Sequence, residues 1–370
     1  MNEPTTLETP MSGPSAAIID HLLDELLKRG GSDLLLTTGS APFLRVDGAL
    51  RPVEGASLTE PEADRLVTGV LGRELTERFR REKQVDFAFS WGEKARLRGN
   101  AFVQRGASAL ALRIIPFDVP SPGQLGLPPA VIGWAAVPRG FVLVTGPTGS
   151  GKSTSLAALL DHVNTHRSVH ILTIEDPIEY LHRHKRSAVN QREVGTDTES
   201  FPAALRAALR EDPDVLLLGE MRDPESISAA LTIAETGHLV FATLHTNDTS
   251  QTLDRIVDVF PAGQQPQIRL QLAHTLVGVL NQTLIPATGG GRAAAFEVLV
   301  GTAAIRNLIR EGKTRQIRNM IATGHRDGMQ TLETGINALV AAGTVSYEEA
   351  VLHTAHPEEI RRPHVPVGRT

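Results

Sequence analysis

The stretch GPTGSGKS, Gly146–Ser153, fits the phosphate-binding loop pattern G-x-x-x-x-G-K-[ST] at each fixed position. An apolar run, Phe141–Thr145, precedes it, and a segment that predicts a helix, Thr154–Val163, follows it. In this context the glycines and the helix N-terminus present backbone N–H groups to phosphate oxygens. The stretch therefore predicts an α/β domain that binds a nucleotide through its phosphates.

The side chains at the end of this loop have separate expected tasks. Lys152 is expected to reach the β- and γ-phosphates of ATP, and the Ser153 hydroxyl is expected to bind Mg²⁺. The complete set of expected phosphate-binding residues is Gly146, Pro147, Thr148, Gly149, Ser150, Gly151, Lys152, Ser153 and Thr154.

Around the loop, apolar runs alternate with long helical segments, which indicates a mostly parallel sheet covered by helices. The strand candidates are GFVLVTG, VHILTIED, DVLLLGE, HLVFATLH and AAAFEVLV. The part of the chain before these strand candidates is predicted to form a small α+β domain of helices and hairpin strands. The predicted boundaries are a disordered leader at 1–14, the α+β domain at 15–117, a Pro- and Gly-rich linker at 118–128, the nucleotide-binding domain with C-terminal helices at 129–352, and a flexible tail at 353–370.

Composition narrows the class of protein. The chain has 370 residues, 41% of them hydrophobic, a net charge of −5 and no cysteine. The lack of cysteine excludes disulfides, cysteine zinc sites and thiol catalysis. The start, MNEPTTLETPMSGPS, does not resemble a signal peptide, and no apolar run approaches the roughly 20 residues of a membrane-spanning helix. We expect a cytoplasmic protein, or one peripheral to the membrane from its cytoplasmic side.

Two strand candidates end in carboxylates, at the edge where α/β sheets place their ligands. Glu175 and Asp176 follow one strand, and Glu220 follows another. One acid is expected to hold a water on Mg²⁺ and the other to orient the attacking water. His238 and His245 lie at the two ends of a third strand. His245, at the carboxyl end, is the candidate for sensing the γ-phosphate.

Together with the phosphate loop, the motifs TIEDPIEY, LLLGEMRD and TGHLVFATLHT resemble those of the secretion-motor ATPases of type II secretion and type IV pili. The resemblance implies an N-terminal PAS-like α+β domain joined by a short linker to a C-terminal RecA-like ATPase domain. It also implies a homo-hexamer that uses ATP and Mg²⁺. By position, Glu175 resembles the general base and Glu220 the ligand of the Mg²⁺-bound water, although the two roles could be exchanged.

The resemblance also implies that arginines of the N-terminal domain reach the phosphates across a subunit boundary. Arg98 in RLRGN and Arg113 in ALRII match those positions. Arginine suits this task because it stays charged and binds phosphate in a bidentate manner.

Within this family the chain resembles the retraction ATPases of twitching motility. AIRNLIRE, Ala304–Glu311, is similar to their hallmark motif, and NQREV, ALREDPD and GMQTLE are similar to theirs too. The absence of a four-cysteine element separates the chain from extension motors. The resemblance implies an inner-membrane platform protein as partner, pilin as an indirect partner, and a position at the inner face of the cytoplasmic membrane.

Other functions stay open at this point. The same ring would serve an accessory retraction paralogue, or a motor for DNA uptake or a secretion pseudopilus. A nucleic-acid translocase is a more distant alternative. The net charge of −5 and the 4% of aromatic residues disfavour it, and no stable nucleic-acid binding is expected.

The helix expected over Ala303–Lys313 has an apolar stripe and a polar side. The stripe consists of Ala304, Ile305, Leu308 and Ile309 and is expected to pack on a core. Arg306, Asn307 and Arg310 point elsewhere, and we expect them to face a partner or a neighbouring domain. The predicted coupling segment is Ala304–Arg310, whose polar residues would link ATP turnover to pilus disassembly.

Overall fold

The computed structural model describes residues 5–7, 14–46, 48–92, 94–116, 118–221 and 223–363. The described residues divide into two compact units, the first up to Asp118 with Glu179–Leu181, and the second with Val119–Ile178 and the chain from His182. In those parts of the chain, the helices are all too short or too polar to cross a lipid bilayer.

The first unit combines one sheet with two helices. Its strand order is β1-β5-β6-β7-β2-β3-β4, and β1 is parallel to β5 while the other pairs are antiparallel. The elements are β1 (Thr5–Leu7), α1 (Pro14–Lys28), β2 (Asp33–Leu36), β3 (Phe43–Val46), β4 (Ala49–Pro52), α2 (Glu60–Glu82), β5 (Gln84–Trp91), β6 (Ala95–Gln104) and β7 (Ala107–Pro116).

Alternation along the strands gives this sheet one apolar and one charged face. Leu34, Leu97 and Leu112 are fully or almost fully buried in a core that also contains apolar residues of α1 and α2. On the other face, Arg98 lies opposite Arg113 across β6 and β7, and Arg113 lies opposite Asp33 across β7 and β2. The structure therefore places both predicted arginines side by side on one exposed surface.

The second unit alternates strands and helices, as the apolar runs predict. Its elements are α3 (Pro129–Gly133), β8 (Gly140–Thr145), α4 (Lys152–His166), β9 (His170–Glu175), β10 (Ala188–Glu193), α5 (Phe201–Ala208), β11 (Val215–Leu218), α6 (Pro224–Glu235), β12 (Leu239–Leu244), α7 (Thr249–Asp258), α8 (Gln265–Thr275), β13 (Leu276–Pro286), β14 (Arg292–Val300), α9 (Ala303–Arg310), α10 (Ile317–Thr323), α11 (Leu332–Ala341) and α12 (Tyr347–Leu352).

The sheet of the second unit has the strand order β10-β9-β11-β12-β8-β13-β14, parallel except for β14. Its central strands are buried on both faces, because separate hydrophobic clusters cover the two sides. The parallel strands end at one edge, so β9, β11, β12 and β8 bring the segments that follow them together.

The structure differs from the sequence-based predictions in the second sheet and at the linker. Two strands of the second sheet, β10 and β13, were not among the apolar candidates, because both carry polar residues in their middle. The expected linker, 118–128, is packed within the second unit from Val119 onward, where Leu127 is buried.

The two ends of the chain also depart from expectation. Of the expected leader, residues 1–4 and 8–13 lie outside the described residues, and Thr5–Leu7 pairs with β5. The expected flexible tail is packed as far as Ile360, which is buried, and residues 364–370 lie outside the described part. The cause is local bonding, since Asn337 on α11 binds the backbone of Glu359 and Arg361.

Candidate active site

The phosphate loop joins β8 to α4 and has the backbone shape of an anion cradle. Gly149 and Gly151 have φ angles of +78° and +87°, which a residue with a side chain rarely adopts. A Cβ at Gly151 would also lie 2.8 Å from the Gln282 amide nitrogen. The turn directs the chain into α4, a 15-residue helix that begins at Lys152, two residues earlier than predicted.

Lys152 lies at the mouth of this loop, and its side chain is largely buried. Its ammonium group donates to the carbonyls of Gly146 and Pro147 at 2.9 and 3.0 Å. Among the described residues, the buried Ser150 hydroxyl has no hydrogen-bond partner, so it can accept one from a bound ligand or donate one to it. The cradle, the helix N-terminus, the ammonium group and this hydroxyl together fit a polyphosphate.

The predicted acids lie at the carboxyl edge of the sheet. Glu175 ends β9, and Glu220 follows β11, the next strand in the sheet. Gly219, which precedes Glu220, lies against the end of β9. A Cβ at this position would come within 3.2 Å of the Glu175 Cα and 3.4 Å of the Ile174 carbonyl oxygen. Glycine therefore allows the two acidic segments to approach each other closely.

His245 joins the phosphate loop to the second acid. Its Nδ1 lies 3.3 Å from the Lys152 ammonium group, and its Nε2 lies 3.2 Å from a Glu220 carboxylate oxygen. An ammonium group only donates and an ionised carboxylate only accepts, so the neutral tautomer with a proton on Nε2 satisfies both contacts. The sensing role of His245 stays a prediction. His238 instead binds the Ile233 carbonyl at the end of α6.

Glu175 is fixed by its neighbours. The Thr173 hydroxyl donates to one oxygen of its carboxylate at 2.6 Å, and the Gln191 amide donates to the same oxygen at 3.1 Å. Glu175 itself is 9% exposed. These two hydrogen bonds hold one carboxylate oxygen of Glu175 and limit the rotation of the group.

The strand β13 contributes residues that the sequence analysis missed. The Asn281 amide donates to the Thr145 hydroxyl and to the Thr246 carbonyl, both at 3.0 Å, so it links β8 to the segment after His245. Gln282 accepts a hydrogen bond from the Ser155 hydroxyl on α4 at 2.7 Å. Only the sheet order places β13 beside β8, so no local sequence signal could have found these residues.

A buried carboxylate on β14 holds the start of α7. Glu297 accepts a hydrogen bond from the Thr249 backbone N–H at 2.8 Å. Burial raises the pKa of Glu297, and hydrogen bonding from Thr249 opposes that rise only in part. The charges of Asp248 and Glu333 raise the pKa further. This network stabilises the N-terminus of α7, which begins four residues after His245.

In the first unit, Arg98 and Arg113 are exposed. Arg113 forms an ion pair with Asp33 at 2.8 Å, and Arg45 approaches the same carboxylate at 3.5 Å. These contacts orient Arg113 on the charged face of the sheet.

The helix α9 corrects one part of the predicted coupling segment. The Arg306 guanidinium donates to the carbonyls of Gly301, His274 and Leu276 at 2.8, 2.9 and 3.0 Å. Two of these carbonyls lie at the end of α8, where helices leave such groups without a helical partner. Arg306 therefore binds backbone groups within its own chain, in contrast to the expectation that it faces a partner or a neighbouring domain.

The rest of α9 divides into packed and exposed positions. Ile305 and Ile309 are buried as predicted, and Leu308 is half-buried, but Ala304 is exposed and does not belong to the packing stripe. Asn307 and Arg310 are exposed. Asn307 donates to Glu311 at 2.8 Å and accepts from Arg310 at 3.2 Å, so the two side chains form a small polar surface.

Comparison with known proteins identifies the family. Residues 11–289 match the model of the family described as type II/IV secretion system protein. The chain is 48% identical over 340 residues to the type IV pilus retractation ATPase PilT of Pseudomonas aeruginosa, covering 92% of this chain and 99% of the relative. It is 47% identical to a twitching motility protein of Neisseria gonorrhoeae, covering 84% and 83%.

A solved structure agrees with these relatives. The crystal structure of the pilus retraction motor PilT with bound ADP is 45% identical, with a TM-score of 0.84 over 92% of this chain and 97% of that one. The predicted fold class, a PAS-like domain followed by a RecA-like ATPase domain, is confirmed. The chain therefore belongs to the type II/IV secretion system protein family, among the pilus retraction ATPases.

Proposed function

We propose that the chain is the ATP-hydrolysing subunit of a hexameric motor that powers type IV pilus retraction and twitching motility. One observation carries this proposal. The 48% identity to the Pseudomonas PilT extends over almost the whole of both chains and includes the segment Ala304–Glu311. The arrangement of the phosphate loop, Glu175, Glu220 and His245 along one sheet edge supports ATP hydrolysis.

The second unit holds ATP by its phosphates and activates the attacking water. The phosphate loop and the N-terminus of α4 bind the phosphate oxygens, and Lys152 neutralises their charge. The Ser153 hydroxyl, and Glu220 through a water, would hold Mg²⁺, which polarises the β- and γ-phosphate oxygens when bound. Glu175 orients the attacking water and accepts its proton. His245, between Lys152 and Glu220, senses the γ-phosphate.

The first unit supplies Arg98 and Arg113 to the nucleotide of a neighbouring subunit in the ring. Their cross-strand pairing and exposure support this role, because the two guanidinium groups leave the same sheet face side by side. A ring completed in this way makes turnover depend on assembly.

The exposed side of α9 couples turnover to the pilus machinery. Since Arg306 is used within the chain, the coupling surface consists of Ala304, Asn307 and Arg310. The partner is a platform protein of the inner membrane, and pilin is affected indirectly. Replacing Asn307 and Arg310 together with Ala should leave ATP turnover present and abolish twitching. Normal twitching in that variant would restrict α9 to packing.

Deletion of the gene in its host tests the function. A retraction motor predicts cells that carry more surface pili than the parent and do not twitch, because extension continues without retraction. Cells without pili would instead indicate an extension motor. Unchanged pili and twitching would indicate a different secretion system, or a paralogue with a minor role.

A further inference from the structure

The motif NQREV forms the edge strand β10, and its side chains hold the acidic segment in place. Gln191 lies opposite Thr173 in the parallel pair of β10 and β9, so both side chains are on the same face as Glu175. The Gln191 amide nitrogen donates to Glu175 at 3.1 Å, and its oxygen accepts from the His182 backbone N–H at 2.8 Å. One side chain therefore contacts both the acid and the backbone beyond it.

The second contact fixes the orientation of the Gln191 amide. The His182 N–H needs an acceptor, so the amide oxygen faces His182 and the NH₂ group faces the Glu175 carboxylate. One partner requires an acceptor and the other requires a donor, so only a glutamine or a similar primary amide satisfies both at this side-chain length.

Glu193, two residues further along the same face of β10, also holds the segment that follows β9. Its carboxylate accepts from the Ile178 backbone N–H at 3.1 Å, and Glu193 is 6% exposed. The loop from Asp176 to His182 is thus anchored at Ile178 by Glu193 and at His182 by Gln191. Its two ends and the carboxylate of Glu175 are held by one short strand.

We propose that Gln191 is a positioning residue for ATP turnover, which fixes the Glu175 carboxylate and ties it to the loop that follows. This inference rests on the proposed function, in which Glu175 acts on the attacking water. Three strands lie between β10, which carries Gln191, and β8 in the sheet order, so the effect of Gln191 should appear in kcat and not in nucleotide binding.

Two variants of the full-length protein test this role. Gln191→Leu removes both hydrogen bonds. Gln191→Glu keeps the size and the acceptor for His182, but it replaces the donor to Glu175 with a like charge. Each should lower kcat about tenfold or more, the size expected for a lost hydrogen bond to a charged group. The Kd for a fluorescent ADP analogue should stay within about twofold, which also shows that the variant has folded.

Asn190→Asp is the matched control. It introduces the same charge on the same strand, but Asn190 is exposed on the opposite face and contacts His170. Its kcat should stay within about twofold of the wild type. In a Glu175→Gln background, Gln191→Leu should have no further effect on the residual single-turnover rate, because both changes act through one carboxylate.

The outcomes separate the two proposals. A wild-type hexamer without ATP turnover would contradict the proposed function. If the wild type is active, three results would overturn the positioning role. The first is a kcat of the Gln191 variants within twofold of the wild type, and the second is an equal loss of kcat in Asn190→Asp. The third is a further loss of the single-turnover rate when Gln191→Leu is added to the Glu175→Gln background.

Discussion

Arg306 provides a stability test inside the most characteristic motif of the chain. Its contacts with Gly301 and Leu276 are partly buried, and the contact with His274 is exposed. A partly buried hydrogen bond from a charged donor contributes about 1–1.5 kcal/mol net, and an exposed one contributes little. Arg306→Ala should therefore lower the free energy of unfolding of the second unit by about 2–3 kcal/mol.

The assay can report on the second unit alone. The chain has two tryptophans, and the buried Trp134 lies in the second unit while Trp91 lies in the first. Urea unfolding followed by Trp134 fluorescence in a Trp91→Phe background would measure the change. Arg306→Lys should lower the free energy of unfolding by about half as much, because one ammonium group can bind some of the three carbonyls but cannot span them all.

Asn307→Ala and Arg310→Ala serve as controls from the same helix. Both side chains are exposed, so each change should cost less than about 0.5 kcal/mol. Equal stability of Arg306→Ala and Arg310→Ala would contradict a stabilising role of the three Arg306 hydrogen bonds. In that case Arg306 would return to the set of residues that face a partner.

The remaining predictions concern the nucleotide site and its support. Lys152→Ala should reduce ATP turnover at least about a hundredfold without unfolding the chain, and near-normal turnover would contradict the site. Arg113→Ala should reduce turnover of the hexamer but leave the nucleotide affinity of an isolated subunit unchanged; equal losses would contradict a cross-subunit role. Burial raises the pKa of Glu297 above its ordinary value of 4.5, so its stabilising protonated form is lost as pH rises through the folded pKa. Glu297→Gln should therefore gain stability relative to wild type as pH rises above the ordinary pKa of 4.5, and a pH-independent difference in urea midpoint would exclude this titration.

Much of the second unit follows from the sequence because its signals are local. The phosphate loop needs glycines at fixed positions, and the central strands are continuous apolar runs since helices cover both sheet faces. The position of Glu175 and Glu220 at one edge follows from the parallel order alone.

The remainder depends on contacts between distant segments. β13 has the polar pair Asn281 and Gln282 in its middle, which breaks the apolar pattern, and these residues matter only because β13 lies beside β8. The role of Arg306 also depends on a distant segment. Periodicity shows that Arg306 lies outside the apolar stripe of α9, but it does not show that the end of α8 is close enough for a hydrogen bond. The pairing of Gln191 with Glu175 also requires the strand register.

The proposed function requires that ATP hydrolysis by this chain retracts pili. Its most direct test is to label pilin on live cells and count retraction events per cell in a deletion strain that expresses either the wild-type chain or Lys152→Ala. Frequent retraction is expected with the wild type, and long, static pili are expected with Lys152→Ala. Equal retraction frequencies in the two strains, or a loss of pili in the deletion strain itself, would contradict it.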